Sequence, residues 1–163
     1  MIDGVLPPAL LLLASAVLIG LTRGHLRAVV LFAAPVAALW AVWQVPDGVQ
    51  DTVLFLSYEI ETVEGSPLRR LFATFFALMA FVGGLYAFRL AKWYELASAY
   101  AYAAGAVGVS FAGDLITLFV YWELMALFST VVVWCGGTAA ARAAGVRYAI
   151  LHLLGGVVLK VGI

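Results

Sequence analysis

Three side chains in the carboxyl-terminal third of the chain have the chemistry to carry a proton: Glu123, His152 and Lys160. A carboxylate, an imidazole and an ammonium cover the acid and base roles of proton transfer. Glu123 stands in the run GDLITLFVYWELMALFS, residues 113–129, with apolar residues on both sides. A charge at the centre of a membrane span costs roughly 2.5–3.5 kcal/mol on insertion scales, so such residues mark ion or proton paths. Lipid favours the neutral form and a nearby cation the ionised form, and a relay needs a charge that a partner sets. The plainer alternative is a carboxyl held neutral by a neighbouring helix as structural glue.

Helical spacing puts Ile116, Phe119, Val120, Ala126, Leu127 and Thr130 on the face of Glu123. None of these is charged, so a cationic partner has to come from a different helix. Ala126 and Thr130 are small enough for another helix or a file of water to come close. The last apolar segment offers two candidates. Counted inward from Val146, His152 lies about 9 Å deep and Lys160 about 21 Å, with Glu123 between them at about 16 Å. His152 is a candidate relay, since an imidazole changes charge near neutral pH. Its alternative is a packed, hydrogen-bonded histidine. Lys160 is a candidate ion-pair partner, set against a lysine that snorkels outward from a helix end. Asp114, just before an apolar helix, is expected to be its N-cap.

The elements that must position these groups follow from composition. Of 163 residues, 66% are apolar and 11% charged, with a mean hydropathy of +1.10. A soluble domain has about half apolar residues and about a quarter charged. The chain therefore reads as an all-α integral membrane protein. Six apolar segments are marked: 6–21, 26–45, 68–88, 96–112, 115–134 and 146–163. The first five are long enough for helices that cross roughly 30 Å of hydrocarbon. All six belong to a single membrane domain, 1–163. The opening MIDGVLPPALLLLASAVLIGLTRGHLR has its positive charges after the apolar run, so it reads as a retained helix and not a secretory signal.

Basic residues cluster on alternate connections: Arg23 and Arg27, then Arg89 and Lys92, then Arg142 and Arg147. The opposite side holds Asp3, Asp47, Asp51, Glu59, Glu61, Glu64 and Asp114. The positive-inside rule makes the basic side cytoplasmic and the amino terminus external. Arg69 and Arg70 are exceptions, at the outer start of the third segment. The long connection, 46–67, alternates apolar and polar residues from Val53 and is expected to form a short external hairpin.

Other classes find no signal. Zero formal net charge provides no basic footprint for nucleic acid. The one cysteine, Cys135, excludes an internal disulfide and reads as a packing residue. No phosphate loop, dinucleotide fingerprint, nucleophile triad or metal-ligand spacing occurs, so no cofactor is expected. Glycine and alanine in ASAYAYAAGAVGVSFAG and LLGGVVLKVGI argue for close helix packing and not for a site.

The runs FAGDLITLFVYWELMALFS and AAGVRYAILHLLGGVVLKVGI resemble the antiporter-like proton-translocating membrane subunits. These occur in Mrp-type multisubunit sodium/proton antiporters, in the membrane arm of respiratory complex I and in membrane-bound hydrogenases. The match covers roughly 68–163 and looks closest to the D-type subunit of the Mrp-type antiporters. The resemblance implies an ion-transporter subunit and not an enzyme, working with other membrane subunits, H+ and Na+ in a bacterial cell membrane. It implies that Glu123 is the essential buried carboxylate, paired in the family with a lysine on the helix that follows these six. His152 matches the histidine common in that D-type form. Gly156 stands where some complex I relatives carry an acidic residue. Lys160 falls at a usually apolar position. Family members have about fourteen helices, so the resemblance also implies that further helices are supplied beyond residue 163. The alternatives are a pumping subunit of a quinone-reducing or hydrogenase complex, and a non-transporting assembly fragment.

Overall fold

The computed structural model describes residues 6–162, which form six helices and one β-hairpin. The helices are α1 (Pro8–Leu21), α2 (Gly24–Gln44), α3 (Pro67–Ala87), α4 (Trp93–Phe111), α5 (Leu115–Trp134) and α6 (Ala139–Val161). Strands β1 (Gly48–Phe55) and β2 (Tyr58–Gly65) lie between α2 and α3. Asp3 and the final residue, Ile163, lie outside the described residues.

Four helices, α2, α3, α5 and α6, are long and apolar enough to cross a membrane. The shorter α1 is apolar, and α4 owes its lower apolarity to its place in the bundle. Helix α4 packs against α1, α3 and α5, and most of its length is buried. Its small residues make room for this. A methyl at Gly105 would lie 2.6 Å from the Met125 side chain, and one at Gly108 would overlap the Tyr121 ring. A helix surrounded by protein needs small residues for backbone approach more than it needs hydrophobicity.

Local chemistry sets the helix ends. The Asp114 carboxylate accepts from the backbone of Ile116 at 2.7 Å and Thr117 at 2.8 Å, so it is the expected N-cap. Ser66 accepts from Arg69 N ahead of α3, whose first residue is Pro67, and Thr138 accepts from Ala141 N ahead of α6. That last cap corrects a boundary. The sixth helix starts at Ala139 and not Val146, because AAARAAG has high helical propensity although its hydropathy is modest. Arg142 and Arg147 therefore ride on α6 itself, and the α5–α6 connection is only 135–138. Likewise α2 begins at Gly24 and α4 at Trp93, a little before their apolar runs.

The long connection between α2 and α3 forms the expected hairpin, antiparallel from Gly48–Gly65 to Phe55–Tyr58, with irregular register around Asp51. Its two-residue turn, Leu56–Ser57, has φ of 47° and 70° at these non-glycine residues. Gly113 N donates to Glu61 O at 3.1 Å, tying the hairpin to the α4–α5 turn. The exceptional arginines are neutralised at this end. Arg70 pairs with Asp47 at 2.7 Å and Arg69 with Glu64 at 2.5 Å. Arg69 also donates to Ala112 O, and Arg70 to Val45 O at 2.8 Å. Both are bound to acidic side chains and backbone carbonyls at this end of the bundle.

Helix α2 carries an internal proline, Pro35. Proline removes the N–H that would bond the carbonyl four residues earlier, here that of Leu31. The buried Tyr100 hydroxyl of α4 donates to Leu31 O at 2.5 Å and takes its place. A methyl at Gly84 would overlap that hydroxyl, so α3 contributes the clearance.

Candidate functional site

Helices α5 and α6 form an antiparallel pair whose register follows from three contacts. A methyl on Gly145 would overlap the Trp134 indole, one on Gly156 would overlap Glu123 Oε1 and lie 3.3 Å from the Phe119 ring, and Lys160 sits on Phe119. Trp134 thus stands level with Gly145, Glu123 with Gly156, and Phe119 with Lys160. The short 135–138 connection leaves little freedom to slide this pairing.

Glu123 lies near the middle of the 20-residue α5. Its Oε1 is buried and has no hydrogen-bond partner among the described residues. What it touches is the bare backbone of Gly156. An ionised carboxylate in such surroundings needs a cation or several donors, because an unpaired buried charge is far more costly than a buried neutral group.

Neither predicted partner reaches it in this arrangement. The Lys160 ammonium lies over the face of Phe119, 3.6 Å from the ring centroid. Such a contact contributes about 0.5–1 kcal/mol when exposed and about 2 kcal/mol when desolvated. It holds the charge about one helical turn, roughly 5 Å, from the level of Glu123. His152 packs in tilted geometry against Trp122 and Tyr148, with ring centroids 5.6 Å and 5.4 Å away. Among the described residues it makes no side-chain hydrogen bond. Along the helix pair, Glu123 stands between the levels of His152 and Lys160. The imidazole, however, packs against the neighbouring Trp122 and makes no ion pair or hydrogen bond with the carboxylate.

The predicted face of Glu123 divides in two. Ala126 and Thr130 are buried and Phe119 packs on α6, whereas Ile116, Val120 and Leu127 are exposed. Residues 119, 123, 126 and 130 alone form the packed stripe, because α6 covers only part of the α5 circumference.

Comparison with known proteins finds no matching family model, no matching curated protein and no matching solved structure. The chemistry of the site therefore rests on its own geometry.

Sequence places Phe119 on the face of Glu123 and singles out Gly156 by resemblance, but the contacts of both, and any role for Trp122, are not legible from single segments. Gly156 reads as a packing glycine until α6 is folded back on α5 about the 135–138 turn. Phe119 carries no charge, so nothing but its contact with Lys160 gives it a role. The described residues hold no cluster of His, Cys, Asp and Glu that could bind a metal. A cavity of about 470 Å³ lies between α3, α4 and α5, with Tyr148 of α6 also lining it. Its polar groups include Ser129, whose hydroxyl donates to Tyr148 at 3.0 Å, and Tyr102. No charged side chain lines it.

Proposed function

We propose that the chain is a membrane subunit of a multisubunit monovalent-cation/proton antiporter, with Glu123 taking up and releasing the proton. The observation that carries this reading is the buried, unpartnered Oε1 of Glu123 in the middle of an apolar helix. A structural carboxyl of this kind would be expected to share its proton with an acceptor on the next helix, and Oε1, which lies against Gly156, has no hydrogen-bond partner among the described residues. A site that changes charge gains from leaving the carboxyl free to exchange partners. The resemblance of 113–129 and of α6 to antiporter-like subunits points the same way. Under this reading all six helices span the membrane, the hairpin is external and the basic connections face the cytoplasm. Other membrane subunits of the complex work beside it.

The test is growth of an antiporter-deficient bacterium in high sodium, with this chain expressed beside its partner subunits. Wild type restores growth and sodium-dependent proton release from everted vesicles. Glu123→Gln reduces both to background, while Glu123→Asp retains part. Full complementation by Glu123→Gln overturns the proton role. Co-purification with a quinone-reducing or hydrogenase module would replace sodium exchange by redox-coupled pumping.

A further inference from the structure

Lys160 is the candidate ion-pair partner of Glu123 by sequence, yet the two make no contact in the structure. One structural feature connects them. The Phe119 ring carries the Lys160 ammonium on its face and also reaches the space beside Gly156 that Glu123 Oε1 fills. Phe119 and Glu123 are one turn apart on α5, and Gly156 and Lys160 one turn apart on α6. The four residues make a square with the cation and the carboxyl at diagonal corners. Gly156 is the corner without a side chain, so nothing but hydrogen stands between the α6 backbone and the carboxyl.

We propose that Lys160 is a reversible counter-ion of Glu123, resting on the Phe119 ring while Glu123 is neutral and moving across Gly156 to the carboxylate when Glu123 is ionised. This deepens the proton role given to Glu123 above but does not need sodium exchange to hold. When Glu123 ionises, its proton goes to solvent and Lys160 remains an ammonium throughout, so no proton passes between the two. The driving force is the difference between the two resting places. A ring face attracts the ammonium through its quadrupole alone, whereas an ionised carboxylate attracts it as a full charge in a medium that screens weakly. A neutral carboxyl offers no such attraction, and the ring then wins. The lysine's four-carbon stem is long enough to cover one helical turn.

No other charged group competes at this level among the described residues. From α6, His152 packs against Trp122 and Tyr148 shares a hydrogen bond with Ser129. From α4, the level of Glu123 is faced by Gly105 and Gly108, whose neighbours are Met125 and Tyr121. Tyr102 lies at the cavity wall and Tyr100 is committed to Leu31. From β2, Glu61 meets the α4–α5 turn at Gly113.

The sequence makes the test clean, because Lys92 and Lys160 are its only lysines. The Lys92→Arg chain, labelled with 15N at Lys Nζ and 13C at Glu Cδ, is reconstituted in bilayers for solid-state NMR distance measurement. Glu123 is assigned by the loss of its signal in Glu123→Gln, and its Cδ shift reports ionisation directly. With Glu123 neutral, the expected result is Lys160 in contact with labelled Phe119 and beyond ion-pair range of Glu123. With Glu123 ionised, Lys160 Nζ is expected to come within ion-pair distance, about 4 Å. Phe119→Leu removes the resting place, so Lys160 no longer returns to residue 119 when Glu123 is neutral. An Nζ position that stays the same in both states overturns the proposal, as does a Glu123 that never ionises. Coupled movement together with full transport by Glu123→Gln would retain this inference and remove the antiport reading. Transport that depends on Glu123 with a fixed Lys160 does the opposite.

Discussion

Gly156 places its backbone directly against the Glu123 carboxyl, so that any side chain at 156 would occupy the position of Oε1. The next glycine in the chain makes the comparison sharp. Gly155, one residue away, has nothing within 4 Å of the position a methyl would take. Two adjacent glycines in the same helix therefore have opposite tolerances, decided by which one faces α5.

Gly156→Ala is expected to push α5 and α6 apart or to turn Glu123 out of its slot. Overpacking of this kind costs about 1–3 kcal/mol. Sodium-dependent growth should fall with it, while Gly155→Ala leaves growth unchanged and melting in detergent the same or slightly higher. Equal effects at the two positions would mean that the α5–α6 register is wrong.

Tyr100→Phe should destabilise the bundle by about 1–3 kcal/mol, because the Leu31 carbonyl opposite Pro35 is then buried without a donor. Pro35→Ala supplies a backbone N–H to the same carbonyl. The double variant should thus melt closer to wild type than Tyr100→Phe alone does. Additive losses would show that the tyrosine does not replace the missing helical bond. A double-mutant cycle on thermal melting measures this.

Cys135, the C-cap of α5, reports both orientation and local electrostatics. An impermeant maleimide should label it from the cytoplasmic side alone. Burial pushes its thiol up, the nearby Glu95 carboxylate adds to this, and Lys92 opposes it. A raised thiol holds less thiolate at any given pH, so labelling near neutral pH should be slower than for a free cysteine and should accelerate as pH rises. Glu95→Gln removes one of the causes and should speed labelling at fixed pH. No change on that substitution would place the Glu95 charge too far away to matter.

The hairpin turn holds Leu56 and Ser57 at positive φ, where asparagine and glycine are favoured. Leu56→Asn with Ser57→Gly should stabilise the hairpin by about 1 kcal/mol. Slower amide hydrogen exchange along β1 and β2 would register the gain. Faster exchange would mean that the exposed Leu56 contributes more than the turn strain costs.

Much of this protein is set by short-range chemistry, which a linear sequence carries in full. Asp114 caps α5 because its own next residues provide the amides, and the β-hairpin follows from local alternation. Glu123 is marked as the anomalous residue by hydropathy alone. Hydropathy by itself hides the start of α6, because it disagrees with helical propensity over 139–145. What only the tertiary structure decided are the relations between segments. Leu31 finds Tyr100, Arg69 and Arg70 find their acids, and Lys160 settles on Phe119 and not on Glu123. These depend on the register of one helix against another, which arises from turn length and side-chain interlocking over many residues. Glu123 is thus recognisable from its neighbours in sequence, but the glycine it touches and the cation one turn away are recognisable only from its neighbours in space.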